Sequence, residues 1–315
     1  MKRKLLLIVN PNSGKGNISK KINKLIQNFE KLEYTIDTIY TKKGSPILED
    51  VQEHLCGIDL IVCCGGDGTL NETINIILKL NITVKLSFIP LGTMNDFSRT
   101  IKISKKQIYY FKKNKKLKII SSDIGIFNDK YFNYVAAFGA FTKVAYDTPQ
   151  KLKNLFGKIA YFIQAIRELF KIKPYKAKVQ FNGKEIEEEF LYGGISNSRF
   201  VGGFKWYNKK DVELDDGQFE LLLIKNPKNM IQFMKTLILL LVKKYKEPYF
   251  IFEKVSNIKF TMLEDVIWTI DGEKIGKTKV VEIQNINKRI EYVIPCNKNG
   301  GVKNEKIINS NTNVL

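Results

Sequence analysis

Short apolar runs alternate with amphipathic segments through the first part of the chain. The runs predict strands at residues 4–10, 34–41, 59–65 and 85–92. The intervening periodicity predicts helices around residues 18–32, 45–55 and 69–80. Strands that alternate with helices predict a parallel, layered α/β domain, which we assign to residues 1–122. The ligand site of such a domain is expected beyond the carboxyl ends of its strands.

The pattern changes after about residue 122. Strands are predicted at residues 123–127, 131–138, 177–182, 187–196, 218–225, 250–262, 266–271, 279–284 and 289–294. Helical segments interrupt them near residues 151–171 and 228–244. This succession predicts a mostly antiparallel β domain over residues 123–295. A polar, Asn-rich tail follows at residues 296–315, and it either frays or packs back on the first domain.

Composition limits the class of protein. The chain has 315 residues and a net charge of +20, so two domains are expected and anionic partners are favoured. The charge is spread along the chain without a zinc knuckle, RNP motif or helix-turn-helix signature, so nucleic acid is not an expected partner. No signal peptide is evident, and the apolar run 237–242 is far shorter than the roughly 20 residues of a spanning helix. We expect a cytoplasmic protein with reduced cysteines.

A glycine-rich turn follows the third predicted strand, in the sequence DLIVCCGGDGTLNETIN at residues 59–75. Glycine lets backbone approach a phosphate closely, and a helix N-terminus offers free N–H donors. Gly65, Gly66, Gly68 and Thr69 fit that description. Asp67 would repel a phosphate unless a divalent cation lay between them. The alternative is a tight turn in which Asp67 caps the helix.

Two further turns of this kind follow the first and fourth predicted strands. NPNSGKG, at residues 10–16, supplies small residues, the Ser13 hydroxyl and the Lys15 cation. It is not a P-loop, because it lacks the earlier glycine and has Gly16 where a P-loop has Ser or Thr. PLGTMNDF, at residues 90–97, supplies Gly92, Thr93, Asn95 and Asp96. Three such turns at the ends of strands in one sheet predict a single site.

The three motifs N-P-x-S-G, G-G-D-G-T-x-N-E and P-x-G-T-x-N-D-F resemble those of the diacylglycerol kinase catalytic domain family. The chain is most similar to soluble bacterial lipid kinases of the DgkB type. The resemblance extends through DTPQKLK at residues 147–153, LDDGQF at 214–219 and DGE at 271–273. It implies an N-terminal nucleotide-binding domain of the NAD kinase/diacylglycerol kinase type and a C-terminal antiparallel β-sandwich, with the active site in the cleft between them.

The resemblance also implies which residues contact ATP. The implied contacts are Asn10, Pro11, Asn12, Ser13, Gly14, Thr41, Gly65, Gly66, Asp67, Gly68, Thr69, Leu70, Asn71 and Thr93. It further implies that Asp67 and Asp96 help to place Mg²⁺ and the phosphates.

Phosphoryl transfer to an alcohol requires a destination for the hydroxyl proton. The only histidine, His54, lies on a predicted helix away from the glycine turns, so we do not expect it to be the base. WTIDGEKIG, at residues 268–276, places Asp271 and Glu273 on either side of a glycine; taken alone, this is typical of a hairpin turn. The resemblance implies that Glu273 is the proton acceptor, and Asp271 is the next candidate.

A second acidic segment, DVELDDGQF at residues 211–219, precedes an apolar strand. It reads either as a solvated turn or as an oxygen-rich site for a hard cation. The resemblance implies a structural Mg²⁺ site made by the Asp216 carboxylate with the carbonyls of Glu213 and Gln218.

The leading hypothesis is an ATP-dependent kinase that converts diacylglycerol to phosphatidic acid. Alternatives are a kinase of another lipid alcohol, such as a sphingoid base or phosphatidylglycerol, and a non-enzymatic nucleotide- or lipid-binding relative. A lipid substrate without a membrane span implies peripheral association with an anionic membrane surface, and the family often forms homodimers. MKTLILLLVKKYKEPYF, at residues 234–250, reads either as a core helix or as a membrane-docking helix.

Overall fold

The structure is a computed structural model that describes residues 3–14, 18–42, 47–104, 111, 116–140, 173–296 and 306–309. The predicted helix near residues 151–171, the segment 147–153 and Lys15 lie outside these residues. Two compact units are present: Met1–Ile124 with Asn287–Leu315 form the first, and Gly125–Ile286 form the second.

The first unit begins with strands and helices in strict alternation. They are β1 (Arg3–Val9), α1 (Ile18–Glu30), β2 (Tyr34–Tyr40), α2 (Leu48–Glu53), β3 (Ile58–Gly65), α3 (Asp67–Lys79), β4 (Lys85–Pro90) and α4 (Asp96–Thr100). The strands pair in parallel in the order β2-β1-β3-β4. The apolar runs of β1, β3 and β4 are buried on both faces, as the hydrophobic sequence of a parallel sheet predicts, whereas β2 is largely half-buried or exposed.

The second unit consists mainly of antiparallel strands. The chain enters it along β5 (Lys116–Phe127), and then forms β6 (Lys130–Phe132), β7 (Val135–Gly139), β8 (Tyr175–Phe181), β9 (Lys184–Ser196), β10 (Phe200–Val201), β11 (Phe204–Lys205), β12 (Phe219–Lys225), α5 (Met230–Leu241), β13 (Phe250–Val255) and β14 (Asn257–Ile270). The order β13-β12-β9-β7-β14 is antiparallel throughout, and β8 pairs with both β9 and β14. An aromatic core that includes Phe138, Phe260 and Trp268 fills its interior.

Several strand predictions differ from the structure. The run predicted at 131–138 is divided between β6 and β7, and the run at 266–271 is part of β14. The run predicted at 250–262 is divided between β13 and β14, and the runs at 279–284 and 289–294 belong to one strand, β15 (Glu273–Pro295). The polar stretch in the middle of β15 is partly exposed, which makes one long strand look like two in the sequence.

The final part of β15 returns to the first unit. Glu291 and Tyr292 pair in parallel with Lys85 and Leu86 of β4. The sequence-based division had assigned residues up to 295 to the second domain, whereas residues from Asn287 onward group with the first unit. A last strand, β16 (Lys306–Asn309), pairs antiparallel with the beginning of β5, which also belongs to the first unit.

Candidate active site

The three glycine turns meet at the carboxyl edge of the parallel sheet. The Asn10 N–H, just after β1, donates to the Cys64 carbonyl of β3 at 2.9 Å. The Leu91 N–H, just after β4, donates to the Gly65 carbonyl at 2.6 Å. Because β3 lies between β1 and β4, these bonds continue the sheet pairing into the turns. The structure therefore brings together the motifs that the sequence separates by up to about 80 residues.

The glycines allow these turns to pack against one another. A Cβ atom on Gly92 would lie 2.7 Å from the Gly66 Cα, and one on Gly14 would lie 2.7 Å from the Leu91 carbonyl oxygen. Gly14 also has a φ of +93°, which side chains other than glycine rarely adopt. Any larger residue at Gly92 would thus separate two of the turns.

Helix α3 begins inside the middle turn without a side-chain cap. Gly66 is its N-cap, in an extended conformation, and Asp67 is its first residue. The first N–H groups of a helix have no partner within the helix, and its dipole adds positive potential there. This end of α3 is therefore suited to a phosphate.

Asp67 caps the neighbouring helix rather than its own. Its carboxylate accepts the N–H groups of Asp96 at 3.2 Å and of Phe97 at 3.4 Å, the first two residues of α4. Asn95, the N-cap of α4, has a left-handed conformation and makes no side-chain cap, so Asp67 supplies it. The sequence alternative, in which Asp67 caps the helix that it begins, is not what the structure shows.

Two carboxylates are close together and largely buried here. Burial raises the pKa of Asp67 to about 6, the negative charge of Asp96 adds to the rise, and the N–H bonds from α4 oppose it. Asp96 is 2 % exposed, and its carboxylate lies 3.7 Å from the Arg99 guanidinium. A divalent cation would relieve the repulsion between the carboxylates, and Mg²⁺ is commonly held by one or two carboxylates plus substrate phosphates. The residues present fit such an ion.

Other predicted contact residues shape the turns through their own hydrogen bonds. The Asn10 carboxamide donates to the Thr69 hydroxyl at 3.2 Å and accepts the Asn12 N–H at 3.0 Å. The Thr41 N–H extends β2 by donating to the Val9 carbonyl at 2.8 Å. The remaining predicted contacts differ in exposure: Pro11, Asn12 and Thr93 are exposed, Ser13 and Asn71 are half-buried, and the Leu70 side chain is in the core. Leu70 can therefore offer a ligand only its backbone.

The sequence places Asn95 in the third turn, but it does not indicate a role for this residue. Its Nδ2 donates to the Gly92 carbonyl at 2.6 Å, while its Oδ1 is buried without a partner among the described residues. Asn95 thereby links the third turn to the start of α4. The signal for it was present in the motif, because asparagine is one of the few residues that tolerates a positive φ.

Asp271 and Glu273 have different environments in the second unit. Asp271 is 4 % exposed, and its carboxylate accepts three backbone N–H groups, from Asn133, Tyr134 and Val135, at 2.6, 2.9 and 3.1 Å. Glu273 begins β15 and is exposed. Asp271 thus anchors the β14–β15 turn, and these bonds argue against it as a proton acceptor. Among the described residues, the Glu273 carboxylate accepts no comparable set of backbone hydrogen bonds.

Asp216 is paired with a lysine. Its carboxylate accepts hydrogen bonds from the Lys254 ammonium and from the Gln218 N–H, the latter at 3.0 Å. Burial lowers the pKa of Lys254, but the hydrogen bond and charge of Asp216 outweigh it and raise that pKa. A divalent cation would have to displace the ammonium, so the residues in this arrangement do not fit the structural Mg²⁺ site implied for Asp216, Glu213 and Gln218. Among the described residues, no three His, Cys, Asp or Glu side chains converge to hold a metal.

A fully buried carboxyl group lies beside this pair. Glu220, on β12, is opposite Lys254 of β13, and neither of its oxygens has a hydrogen-bond partner among the described residues. Burial raises the pKa of Glu220 well above its usual range, against the charge of Lys254 and with the charge of Asp216. Burial therefore favours the protonated form of the Glu220 carboxyl group.

The parallel sheet, its three glycine turns and the carboxylate pair define a nucleotide-binding α/β unit, accompanied by a β-rich unit. The chain belongs to the diacylglycerol kinase catalytic domain family. Residues 4–125 match that family's model. The resemblance expected from the motifs is thus confirmed.

The curated relatives extend the match over nearly the whole chain. A diacylglycerol kinase of Bacillus subtilis (strain 168) is 30 % identical over 299 residues, covering 93 % of this chain and 96 % of the relative. One from Staphylococcus aureus (strain MRSA252) is 31 % identical over 314 residues, covering 98 % and 97 %. A crystal structure of a diacylglycerol kinase from Bacillus anthracis strain Sterne superposes with a TM-score of 0.69 at 22 % identity, covering 93 % and 97 %. The last comparison concerns the fold alone.

Proposed function

We propose that the protein is a lipid kinase that transfers the γ-phosphoryl group of ATP to the primary hydroxyl of diacylglycerol, giving phosphatidic acid and ADP. The meeting of the three family motifs around Asp67 and the uncapped N-terminus of α3 carries this proposal. The length of the match to diacylglycerol kinases supports the choice of substrate.

The first unit would bind the nucleotide. The N–H groups at the start of α3 would donate to phosphate oxygens, and the glycine turns would let those oxygens approach the backbone. We propose that Asp67 and Asp96 hold a Mg²⁺ ion with the phosphates; when bound, that ion supplies neutralisation of phosphate charge. Thr41 and the Asn10–Gly14 turn would line the nucleotide.

Glu273 would accept the proton. In the transfer, the bond between the γ-phosphorus and the β–γ bridging oxygen breaks, and a bond forms from the lipid hydroxyl oxygen to the phosphorus. The hydroxyl proton requires an acceptor, which we assign to the exposed Glu273 carboxylate. Asp271 would position the turn from which Glu273 projects, since its carboxylate is bound to the backbone of residues 133–135.

We further propose that the second unit is an antiparallel β-sandwich. In support of this, β7 and β8 each pair with both β9 and β14, so the four strands close into a ring of pairings. The large aromatic side chains inside it form one continuous core.

The place of action is proposed from the substrate. Among the described residues, no helix is long and apolar enough to cross a bilayer. We propose a cytoplasmic enzyme that associates peripherally with anionic membranes, where diacylglycerol resides. A homodimer is proposed from the family resemblance alone, and light scattering of the purified protein tests it.

The decisive experiment is a radiolabelled-ATP assay with mixed micelles of different lipid alcohols. We expect label in phosphatidic acid when diacylglycerol is present, and much less in the products from a sphingoid base or phosphatidylglycerol. If label appears mainly in the product of one of the other lipids, that lipid is the substrate instead of diacylglycerol. Hydrolysis or binding of ATP without any labelled lipid would overturn the kinase proposal.

A further inference from the structure

Helix α5 has a largely apolar surface that the described part of the chain leaves exposed. Only Phe233 and Thr236 of this helix are buried. Among the described residues, five of the eleven exposed large hydrophobic side chains lie on α5 or at its C-cap: Met230, Ile231, Ile238, Leu241 and Val242, at 40, 81, 56, 64 and 56 % exposure. A cluster of this kind marks an interaction surface, because isolated exposed apolar residues are normal and contiguous ones are not.

The β10–β11 hairpin carries a further exposed apolar side chain and lies close to the C-terminal end of α5. Phe204 is 70 % exposed on the β10–β11 hairpin, beside a turn of two glycines. Just after the hairpin, the Trp206 carbonyl accepts a hydrogen bond from the Tyr245 hydroxyl at 2.6 Å, and Tyr245 lies four residues after the end of α5. The Tyr207 and Tyr245 rings also meet edge to face, with centroids 6.0 Å apart. The hairpin and the C-terminal end of α5 are therefore parts of one surface within the second unit.

The segments that carry this surface are rich in positive charge, and the acidic residues Asp211 and Glu247 directly follow them. Residues 228–246 contain five lysines and no acidic residue, and residues 197–210 contain four lysine or arginine residues and no acidic residue. Elsewhere in the same unit lysines are paired across strands, as in Lys176–Glu187 and Lys178–Glu185. The sequence thus concentrates unbalanced positive charge on the segments that carry the exposed apolar residues.

We infer that α5 and the β10–β11 hairpin form the membrane-docking surface, which we call the α5–hairpin surface. Ile231, Ile238, Leu241 and Phe204 enter the interfacial region of a phospholipid bilayer. The surrounding lysines contact anionic headgroups. An amphipathic helix with exposed apolar residues on one side and lysines beside them is typical of interfacial helices. The inference deepens the proposed function, since it names the surface through which a lipid kinase would reach its substrate.

Charge and apolarity together favour a bilayer over a protein partner. A polybasic segment is attracted to anionic lipid at any orientation, and apolar side chains then add insertion. A second copy of the chain would bring the same positive charge to the interface and would be repelled.

Sedimentation with vesicles tests the inference. The full-length protein is mixed with vesicles of phosphatidylcholine, with or without phosphatidylglycerol. We expect binding that needs phosphatidylglycerol and weakens with added salt. The variant Ile231→Ser with Ile238→Ser and the variant Lys243→Glu with Lys244→Glu should each weaken binding by about tenfold or more.

Matched controls separate docking from general effects. Leu263→Ser removes another exposed leucine, 68 % accessible on β14, outside the α5–hairpin surface. Lys277→Glu with Lys279→Glu changes the net charge as much as the α5 lysine pair does, at exposed positions of β15. Both controls should bind vesicles like the parent, and thermal melts should show all four variants folded.

The outcomes distinguish the inference from the proposed function. The docking variants should still phosphorylate a water-soluble short-chain diacylglycerol. If the parent phosphorylates no lipid but vesicle binding follows the pattern above, the kinase proposal fails and the docking surface stands. Vesicle binding that all variants retain would overturn the docking surface. Loss of a dimer in light scattering without loss of vesicle binding would assign the surface to self-association instead, which also overturns it.

Discussion

The Asp67 carboxylate accepts the backbone N–H of Asp96 at 3.2 Å, although the side chains of these two residues repel one another. One aspartate thus begins α3 and caps α4. The same atoms that organise the third glycine turn are those we expect to face Mg²⁺ and the phosphates. The hydrogen bonds that cap α4 and the proposed Mg²⁺ ion therefore require the same Asp67 carboxylate.

The first prediction concerns Asp67→Asn, which should abolish kinase turnover and yet stabilise the nucleotide-free, chelator-treated protein near neutral pH. The pKa of Asp67 is raised from 3.8 to about 6, so its neutral form is favoured by folding. The stability that the parent gains from the neutral Asp67 side chain is fully present below the ordinary pKa of 3.8. It is lost as the pH rises through about 6. By linkage the parent loses up to about 3 kcal/mol over this interval, and the Asn variant does not.

Thermal melts at pH values below 4 and above 6 test this, compared between variant and parent. Asp129→Asn, at an exposed position, serves as the control and should follow the parent at both pH values. An Asp67→Asn variant with native turnover, or with no stability gain at the higher pH, would contradict the prediction.

The second prediction separates Glu273 from Asp271. Glu273→Gln keeps size and hydrogen bonding but cannot accept a proton, so kcat should fall by at least ~10²-fold with ATP affinity and Tm nearly unchanged. Asp271→Ala should instead lower Tm, because it leaves three buried N–H groups without their acceptor, at a cost of about 1–3 kcal/mol each. Steady-state kinetics and melts on the two variants check this; native kcat in Glu273→Gln would place the base elsewhere.

The third prediction concerns the Asp216–Lys254 pair. Because the ammonium already neutralises Asp216, a chelator should not change the Tm of the nucleotide-free protein. Lys254→Met should lower stability by about 1 kcal/mol, since the pair is only partly buried. Lys259→Met, which breaks a more exposed pair with Glu282, is the matched control and should cost less. A parent Tm that falls with chelator would restore the metal site implied by the resemblance.

The fourth prediction tests the packing of the glycine turns. Gly92→Ala places a methyl group 2.7 Å from the Gly66 Cα and 2.8 Å from the Asn95 Oδ1, so it should cost about 1–3 kcal/mol and weaken ATP binding. In Gly66→Ala, the new methyl group would lie 3.4 Å from the Gly92 Cα, so this substitution should lower the free energy of unfolding much less. Denaturant unfolding of both variants measures the difference. Equal stabilities would mean that the turns separate without cost.

The parallel sheet could be read from the sequence because its determinants are local. Each of β1, β3 and β4 is a mainly apolar run followed by a turn that contains glycine or proline, and the carboxyl ends of parallel neighbours lie at the same edge of the sheet. The motifs around Gly66 and Asp67 could be placed at one edge for that reason. Helix α2 was predicted several residues too long, since periodicity does not fix where a short helix ends.

The roles of individual side chains could not be read in the same way. Asp271 is bound by N–H groups of residues more than 130 positions earlier, and Asp216 by a lysine 38 positions later. These partners come together only through antiparallel pairing, whose register the sequence does not display. The hydrophobic pattern of α5 marks a helix but not which face is covered, so the exposure of Ile231 and Ile238 required the structure.

The return of β15 to the first unit has a consequence for synthesis of the chain. The Ser87 hydroxyl, on β4, donates to the Val293 carbonyl, a partner 206 residues further along. In sequence terms the β-rich unit is an insertion within the nucleotide unit. The nucleotide unit cannot complete its sheet until residues 287–295 have left the ribosome, while residues 125–286 emerge earlier. During translation, the open edge of β4 is thus exposed to wrong pairing for as long as the insertion takes to emerge.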